Sequence, residues 1–343
     1  MQVLKNSKTV SIIIPCKNEK EYIKKCIDSF TKQTYDDNLY EILVCDGTSN
    51  DGTREIVLDY EEKFKNVKLI NNIGESAPKG MNLGIKNSKS DIIIIFGAHS
   101  EADKDFIKNN VEILNREDVH CCGGPIETIN ENTIGKAISL AMSSPFGVGN
   151  ALFRYSKKEK FVDTVAFGAY KRDVLDDIGY FDEELVRGQD FELNFRLTEN
   201  NYNILLSPNI RSKYYSRSSI KNLWNQYFQY GFWKMKIISE YKKVPSIRHI
   251  IPTMFVLFNV FGILGGMLNK YIFVLWLFIM SLYFLMDIYF SFKLCKKNFK
   301  IFSLLILIFP ILHVSYGIGF IIGFFAFSLN FRTLIYNNSR ITR

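Results

Sequence analysis

The sequence lacks the residue patterns that mark several common classes of ligand-binding protein. Its six cysteines show no metal-ligand spacing, and three of them fall in or beside predicted strands, as small buried hydrophobic residues do. No GxGxxG and no GxxxxGKS/T motif follows a predicted strand, which disfavours dinucleotide-binding and P-loop proteins. Nothing resembles a zinc finger, an RNA-recognition motif or an arginine-rich arm, so nucleic acid is not an expected partner.

A signal-peptide core is also missing, because the first nine residues are polar overall. We therefore expect reduced thiols and a cytosolic soluble part. The net charge of +8 is unevenly distributed: residues 1–210 carry −7, residues 211–248 carry +8 and residues 249–343 carry +7. The chain therefore has an acidic domain first, a basic region next and apolar segments last. This order is expected of a protein that binds an anionic membrane surface.

Short apolar runs alternate with helical patterns through the first hundred residues. Buried strands are predicted at 10–15, 40–45, 67–70 and 91–96. Because helices separate these strands, the pattern predicts an α/β domain with a mostly parallel sheet and helices on both faces. Ligands of such sheets bind at the carboxyl ends of the strands. Those ends are residues 15–19, 46–51 and 97–103.

The turn after the second strand reads DGTSNDGT, from Asp46 to Thr53. Asp-Gly and Asn-Asp-Gly are strong turn formers, so this segment is either a structural turn that caps the next helix or part of a ligand site. Its place beside the strand end that runs from Pro15 to Glu19 favours the ligand site.

Asp190 follows a loop glycine and stands at the start of a predicted helix. The buried face of that helix is formed by Leu193, Asn194 and Leu197. Glu192 and Arg196 form an i,i+4 pair that is expected on its exposed side. An Asp at such a position is either an ordinary helix N-cap or a general base aimed at a bound hydroxyl.

Several segments carry a resemblance to a known family. VSIIIPCKNE, EILVCDGTSNDGT, the Asn82-x-Gly84 helix and the Gln189-Asp190 helix start resemble family-2 inverting glycosyltransferases of the GT-A fold. Longer segments such as SSPFGVGNALFRYS and GYFDEELVRGQDFELNFRL are similar to the ExoA-like subgroup, named for a glucosyltransferase of succinoglycan assembly. The resemblance covers nearly the whole chain from Val10 onward.

The resemblance implies an activity and its partners. The expected enzyme is membrane-anchored and takes a sugar, most simply glucose, from a UDP-sugar donor. It passes the sugar to a polyprenyl-diphosphate-linked saccharide, and the product serves exopolysaccharide or capsule biosynthesis. Within enzymes, the alternatives are transfer to polyprenyl monophosphate and processive polymer synthesis. Outside enzymes, the alternative is a catalytically silent assembly protein that keeps the fold and binds a saccharide lipid.

The resemblance also implies roles for individual residues. Nucleotide binding falls to Pro15, Asn18, Glu19 and Asp46, and the carboxylate of Asp46 suits the imide N–H of uracil. Catalysis falls to Asp190, which matches the Asp of the family's Glu-Asp pair, and this outweighs the N-cap interpretation. In that pair Gln189 replaces the usual Glu.

Three further donor-site residues follow from the same likeness, each with an alternative. Lys79 precedes the Asn82 helix, where it either faces the donor diphosphate or is simply solvated. Gly168 and Asp163 lie in a segment that resembles the floor of the sugar and acceptor site. A plain buried strand would also explain that segment.

The metal site of the family is incomplete in this sequence. Family members carry an acid at the third strand end that holds a divalent ion on the diphosphate, but Gly97 stands at that position. His99 is either a ligand of Mn²⁺ or Mg²⁺ or a direct hydrogen-bond donor to the diphosphate. Glu101 or Asp103 would have to supply any further oxygen.

The C-terminal third is predicted to meet the membrane. We expect a cytosolic GT-A domain over 1–210, a basic aromatic interfacial helix region over 211–248, a transmembrane region of three or four segments over 249–331 and a basic tail over 332–343. The last apolar run contains Pro310 and is either one long span or a helix plus a re-entrant piece. Lysines between 293 and 300 favour a multi-pass protein of the cell inner (plasma) membrane with its catalytic domain in the cytosol.

Residues of the basic region are candidates for acceptor binding. A helix is predicted from Ile220, and it lies either at the headgroup level or against another domain. Arg217 and Lys221 are candidates to meet the diphosphate of the acceptor, because a basic cluster beside the membrane suits a lipid phosphate. Gln226 and Trp233 lie in a run that resembles the motif with which membrane-bound relatives line the acceptor channel, so the resemblance implies an acceptor or interface role for them. His313, inside an apolar segment, is a further functional candidate because a buried polar group there needs a partner.

Overall fold

The computed structural model describes residues 8–130, 132–215, 219–329, 331 and 335. By its internal contacts the chain forms two compact units. The sheet unit contains the described residues up to Thr128 and those from Leu152 to Tyr215. The helical unit contains the described residues from Ile129 to Ala151 and those after Tyr215. The inclusion of residues 129–151 in the helical unit is a feature that sequence analysis did not predict.

The strands of the described chain are, in order, β1 Val10–Cys16, β2 Tyr40–Asp46, β3 Val67–Asn71, β4 Ile92–Ile95, β5 Ser100–Ala102, β6 Cys121–Gly124, β7 Ile126–Ile129, β8 Lys160–Val162, β9 Ala166–Lys171, β10 Ile204–Leu206 and β11 Ser212–Tyr215. The helices are α1 Ile23–Phe30, α2 Thr53–Lys63, α3 Ala77–Asn87, α4 Phe106–Leu114, α5 Thr133–Met142, α6 Pro145–Val148, α7 Arg172–Ile178, α8 Gln189–Glu199, α9 Ile220–Tyr241, α10 Ile251–Leu268, α11 Lys270–Leu294 and α12 Phe299–Ser328. Short 3-10 helices lie at Asp37–Leu39, Leu152–Arg154 and Ile247–His249.

The main sheet has the strand order β3-β2-β1-β4-β9-β6-β10-β8. Strands β1 to β4 pair in parallel, with Pro15 opposite Cys45 and Cys16 opposite Asp46, so the loops after β1 and β2 leave the same sheet edge. Strand β9 runs antiparallel to both β4 and β6, and β8 runs antiparallel to β10. The sheet is therefore mixed, with its parallel part where the sequence predicts it. A second, three-stranded sheet has the order β5-β11-β7.

Alternate residues of the central strands enter different hydrophobic cores. Ile12 and Ile14 of β1 lie in one cluster together with residues of α1, whereas Ile13 lies in another together with residues of α3. Since a strand turns successive side chains to opposite faces, both faces of the sheet are covered by helices. The predicted α/β architecture is confirmed.

Glycines bring the helices of the helical unit into direct contact. A Cβ added at Gly231 of α9 would lie 2.1 Å from the carbonyl oxygen of Tyr316 in α12. A Cβ added at Gly319 of α12 would likewise lie 2.1 Å from the carbonyl oxygen of Phe228. Such close backbone approach is typical of small residues between membrane helices. Helix α9 is thus a packing helix within its own unit.

Three helices in the described residues are long and apolar enough to cross a membrane: Ile247–Leu268, Lys270–Leu294 and Phe299–Ser328. Their lengths of 22, 25 and 30 residues meet or exceed the roughly 20 residues that span a bilayer core. Helix α12 runs without interruption through Pro310. Of the two interpretations of the last apolar run, the single long helix is the one observed.

Candidate active site

The loops after β1 and β2 are joined by their own polar side chains. The side-chain oxygen of Asn18 accepts a hydrogen bond from the Asn50 amide at 3.0 Å, and the Ser49 hydroxyl accepts one from the Asn18 amide at 2.8 Å. The Thr53 hydroxyl accepts from the Glu19 amide at 2.8 Å. Asn18 has φ 56°, a left-handed conformation that Asn tolerates better than most residues. The two predicted ligand segments, 15–19 and 46–51, are therefore held together by hydrogen bonds.

Asp46 ends β2 with its carboxylate buried. Oδ2 accepts a hydrogen bond from the Ser49 amide at 3.2 Å and lies 3.6 Å from Nη1 of Arg54. A positive neighbour reduces the cost of burying a carboxylate. The Cys16 thiol lies 3.8 Å from Oδ1 of Asp46. Burial raises the pKa of this thiol, and the charge of Asp46 contributes a smaller part of the increase. Asp46 is thus held as a fixed hydrogen-bond acceptor at the strand end.

Sequence reasoning missed Arg54, although a signal was present. Arg54 directly follows the DGTSNDGT turn, and its Nη1 also donates to Oδ1 of Asn71 at 2.6 Å. A basic residue in the first turn of a helix is a natural partner for a buried acid at the end of the strand before it.

Glu19 and His99 meet at the third strand end. Nδ1 of His99 lies 3.5 Å from Oε1 of Glu19, and both side chains are mostly buried. The His99 ring also packs edge-on against Tyr214 of β11, with ring centroids 4.9 Å apart. The structure thus brings together two residues that the sequence assigned separately, Glu19 to the nucleotide and His99 to the diphosphate.

The residues around this pair do not form the acid-based metal site that the family resemblance implies. A Cβ added at Gly97 would lie 3.0 Å from Cε1 of Phe167, so the ring of Phe167 borders the space that an acid would need. Glu101 instead accepts from the Tyr215 hydroxyl, and Oδ1 of Asp103 accepts from the Asp105 amide at 3.2 Å.

Over the whole described part of the chain, no group of three or more His, Cys, Asp or Glu side chains is arranged to hold a metal ion. Glu19 and His99 are the two side chains at the third strand end that we assign as candidate metal ligands. A metal ion there would need most of its ligands from substrate phosphates, as Mg²⁺ commonly does in nucleotide sites.

Asp190 is the second residue of α8 rather than its N-cap. The N-cap is Gly188, which has φ 81° and no side chain to cap with. The Asp190 carboxyl is partly buried, and no side-chain hydrogen bond to it occurs within residues 8–130, 132–215 and 219–329. Burial raises its pKa to about 6. The structure contradicts the N-cap alternative, and the role of Asp190 as general base stays a prediction.

The helix that carries Asp190 is clamped by a buried ion pair. Arg196 binds both carboxylate oxygens of Glu192, at 2.6 and 3.0 Å, and donates to the carbonyls of Ile178, Gly179 and Tyr180. Glu192 is 1% exposed, so the prediction that this pair lies on the exposed side is wrong. The reason is that the loop ahead of α8 folds over the pair and supplies carbonyl partners that no local pattern reveals.

Asn82 of α3 fixes the same loop from the other side. Its side-chain oxygen accepts from the Phe181 amide at 3.0 Å, and Nδ2 donates to the Phe181 carbonyl and to Glu183, both at 2.9 Å. The buried face predicted for α8 is observed, since Leu193, Asn194 and Leu197 are all inaccessible to solvent. Helix α8 and the loop before it are therefore held in place by these contacts, which a catalytic group at Asp190 would require.

The structure does not test the donor-site roles predicted for Lys79 and Gly168. Lys79 is exposed in the first turn of α3. A Cβ added at Gly74 would lie 2.4 Å from Cδ of Lys79, so the aliphatic part of the Lys79 side chain packs against Gly74. A Cβ at Gly168 would lie 2.6 Å from the hydroxyl of Tyr170, so that hydroxyl fills the space beside the glycine. Asp163 is partly exposed between β8 and β9.

The acceptor candidates belong to the helical unit. Arg217 lies outside the described residues. On α9, Nε2 of Gln226 donates to the Tyr230 hydroxyl at 2.9 Å, and Nε1 of the buried Trp233 donates to Gln229 at 2.8 Å. Lys221 is exposed at the start of the same helix. The proposed acceptor roles of these residues stay predictions.

His313 has the partners that its place in an apolar helix requires. Nε2 is 2.9 Å from the carbonyl oxygen of Phe146, and Nδ1 is 2.8 Å from the hydroxyl of Tyr283. Because a carbonyl only accepts, Nε2 carries the proton and Nδ1 accepts from the tyrosine. Helices α11 and α12 are thereby tied to α6, so the histidine has a structural role within the helical unit.

Comparison with known proteins identifies the family. The model described as "Glycosyl transferase family 2" matches residues 11–179. A dolichyl N-acetyl-alpha-D-glucosaminyl phosphate 3-beta-D-2,3-diacetamido-2,3-dideoxy-beta-D-glucuronosyltransferase of Methanococcus voltae is 37% identical over 230 residues, which are 65% of this chain and 71% of that protein. The succinoglycan biosynthesis protein ExoA of Rhizobium meliloti is 25% identical over 243 residues, 70% of this chain and 73% of that protein.

A solved structure shares the fold. The mannosyltransferase PcManGT from Pyrobaculum calidifontis, in complex with GDP-Man and Mn²⁺, superposes with a TM-score of 0.53 at 17% identity, covering 72% of this chain and 68% of that one. ExoA is one of several relatives, so the ExoA-like subgroup is not singled out. From its 37% identity to a protein of which it covers 71%, this chain belongs to glycosyl transferase family 2 and is a glycosyltransferase of the GT-A fold.

Proposed function

We propose that the protein is an inverting glycosyltransferase that moves a sugar from a nucleotide donor to a lipid-linked saccharide at a membrane. The observation that carries this proposal is the Asp190 carboxyl, with its pKa of about 6, at the start of a helix held by the Glu192–Arg196 pair. A base with that pKa is charged at neutral pH yet basic enough to accept a proton in the transition state.

The reaction would proceed by one in-line displacement. The acceptor hydroxyl oxygen bonds to the anomeric carbon while the bond between that carbon and the diphosphate oxygen breaks, which inverts the configuration. Asp190 takes the hydroxyl proton, and the nucleoside diphosphate leaves with the electron pair. His99, oriented by Glu19, would hydrogen-bond the departing diphosphate, with Lys79 as a candidate for further positive charge. No step is assigned to a metal ion.

A UDP-sugar is the donor that we propose, with glucose as the sugar. The support is Asp46, a fixed acceptor beside Asn18 and Glu19, which complements the imide N–H of uracil. A guanine base also presents N–H donors, and the structurally similar mannosyltransferase holds GDP-Man, so the base is a point to test.

A lipid-linked acceptor is supported by the relatives and by the helical unit. The name of the Methanococcus voltae relative specifies a dolichyl N-acetylglucosaminyl phosphate, and the chain has three helices that fit a bilayer. We propose a polyprenyl-linked saccharide, with one or two phosphates, presented at the cytosolic face of the cell's inner (plasma) membrane. The ExoA relative supports a product for surface polysaccharide.

Incorporation of label into lipid tests this function. Membranes that contain the full chain are incubated with a panel of radiolabelled UDP- and GDP-sugars, and the lipid fraction is counted. We expect counts from a UDP-hexose above those from every GDP-sugar, in a product of one added sugar. Long products would favour a processive enzyme. Binding of UDP without any transfer, in membranes shown to hold acceptor lipid, would favour the silent assembly protein and overturn the proposal.

A further inference from the structure

Strand β9 contains a β-bulge where it pairs with β6. The register of the pairing shifts between Cys122 and Gly124 of β6. Between the same two pairs, β9 contains two residues, Phe167 and Gly168, where β6 contains one. Bulges are common beside active sites, where they redirect a side chain.

Phe167 has an unfavourable backbone conformation at this bulge. Its φ of 50° is left-handed, and among the described residues it is the only aromatic residue with a positive φ. Glycine is the usual residue at the left-handed position of a bulge, and a bulky side chain there is an outlier. Such strain persists where the surrounding structure holds it, most often at ligand sites. A function that needs the ring at this place would account for the strain.

The ring of Phe167 lies at the carboxyl end of β4. Its centroid is 4.5 Å from that of Phe96, the residue that follows β4, and its Cε1 is 3.0 Å from a Cβ added at Gly97. The ring is only partly buried. Tyr214, which packs against His99, has its ring centroid 6.5 Å away. An aromatic ring thus lines the same strand end as His99.

Hydrogen bonds connect the segment that precedes Phe167 with the helix that carries Asp190. Nδ2 of Asn194 on α8 donates to Oγ1 of Thr164 at 2.9 Å and to the carbonyl of Val165 at 3.3 Å. Asn194 lies one helical turn after Asp190, on the same side of α8. Phe167 therefore belongs to a segment that contacts both the third strand end and the helix of the proposed base.

The order of the strands indicates which part of a nucleotide sugar reaches Phe167. Asp46, the proposed contact of the nucleotide, ends β2, and His99, the proposed contact of the diphosphate, follows β4. Strand β1 separates β2 from β4, and β9 is the next strand beyond β4. Neighbouring strands are about 4.8 Å apart, so a donor that extends from Asp46 past His99 brings its sugar to β9.

We propose that the ring of Phe167 is the surface on which the pyranose ring of the donor sugar rests. This proposal rests on the proposed function, because it assigns a residue to the sugar of the same donor. The equatorial hydroxyls of a glucose-type pyranose lie around its edge and its faces present C–H groups, so the face of an aromatic ring complements it. The bulge and the left-handed backbone then have a role, since they bring the ring to the sugar.

Binding in the absence of acceptor tests this assignment. The full chain in phosphatidylcholine nanodiscs is titrated with UDP and with UDP-glucose, for the wild type, Phe167→Leu, Phe167→Tyr and the control Phe161→Leu. Phe161 is an exposed aromatic residue of the edge strand β8. We expect Phe167→Leu to weaken UDP-glucose binding about fivefold and to leave UDP binding within about twofold, because only the contact with the sugar is lost. Phe167→Tyr and Phe161→Leu should keep both affinities within about twofold.

A glycine variant separates contact with the sugar from a role in folding. Phe167→Gly removes the ring and suits the left-handed backbone, so it should bind UDP like the wild type and lose UDP-glucose affinity like Phe167→Leu. Equal losses of UDP and UDP-glucose affinity in these two variants, or no loss of either, would overturn the assignment. Absence of UDP-glucose binding by the wild type would also overturn it. Failure of the proposed function gives a different result, because it appears as missing transfer by a wild type whose binding still depends on Phe167.

Discussion

The phenyl ring of Phe167 lies against Gly97, at the strand end where the family resemblance led us to expect a metal-binding acid. A Cβ added at Gly97 would be 3.0 Å from Cε1 of Phe167, and Phe167 itself has φ 50°. An aspartate at position 97 would therefore require the ring to move. Glu19 and His99 are therefore the side chains that we assign as candidate metal ligands at that strand end.

This arrangement predicts how Mn²⁺ binds. Because we assign only Glu19 and His99 as metal ligands there, the wild type should not bind Mn²⁺ measurably until UDP supplies phosphate oxygens. The electron paramagnetic resonance signal of free Mn²⁺ should fall only when UDP is added. The double variant Gly97→Asp/Phe167→Ala, which restores an acid and removes the ring, should bind Mn²⁺ at least about tenfold more tightly with UDP present. Stoichiometric Mn²⁺ binding by the wild type without UDP would contradict the donor assignment.

The pKa of Asp190 predicts the pH dependence of transfer. The base works only when deprotonated, and burial raises its pKa to about 6, so kcat/KM should rise about tenfold per pH unit below pH 6 and level off above it. The Asp190→Asn variant should lose activity by roughly 10²–10⁴-fold and show no such rise. A profile measured from pH 4.5 to 8.5 checks both points. A wild-type profile that stays flat through pH 6 would be inconsistent with this base.

The same shift predicts an effect on stability. The folded protein holds the Asp190 proton more tightly than the unfolded chain, in which the ordinary value is 3.8, so stability falls as pH rises from about 4 to about 6. An asparagine at position 190 avoids this loss. At pH 7.5 we expect the Asp190→Asn variant to melt about 2–4 °C above the wild type, with the difference shrinking toward zero near pH 4. A lower melting temperature of the variant at pH 7.5 would mean that the carboxylate is stabilised by the fold.

The Glu192–Arg196 pair predicts a large stability change that depends on which partner is removed. Arg196→Ala leaves a buried carboxylate without its counter-charge and should cost about 3–5 kcal/mol of unfolding free energy. Adding Glu192→Gln to Arg196→Ala should recover part of that loss. As a control, Lys63→Ala removes the exposed i,i+4 partner of Asp59 and should cost less than about 0.5 kcal/mol. Denaturant unfolding of the four proteins measures these differences.

Buried strands and their order along the chain were predictable because short, continuous apolar runs bounded by turn residues are typical of strands in a covered sheet. Strands β1 to β4 lie within about two residues of the predicted limits. The first helix begins only at Ile23, because Asn18 adopts a left-handed conformation and ties the two ligand loops together. That contact depends on a partner about thirty residues away, which local patterns do not encode.

The remaining differences also come from long-range contacts. Strand β9 lies between β4 and β6, and its antiparallel pairing with β4 brings together residues about seventy-five positions apart. The spacing of Glu192 and Arg196 predicted their pairing but not its burial, which depends on the carbonyls of the loop before α8. Residues 129–151 join the helical unit through partners such as His313 and Arg248, far along the chain.

The most direct measurement of the central claim compares transfer of labelled sugar from the preferred UDP-sugar into membrane lipid by the wild type, by Asp190→Asn and by Asp59→Asn. Asp59 is an exposed helix carboxylate that pairs with Lys63, so its loss controls for charge alone. We predict full transfer by the wild type and by Asp59→Asn, and transfer reduced at least about a hundredfold in Asp190→Asn, with UDP affinity retained. Equal transfer by Asp190→Asn and the wild type would contradict the account.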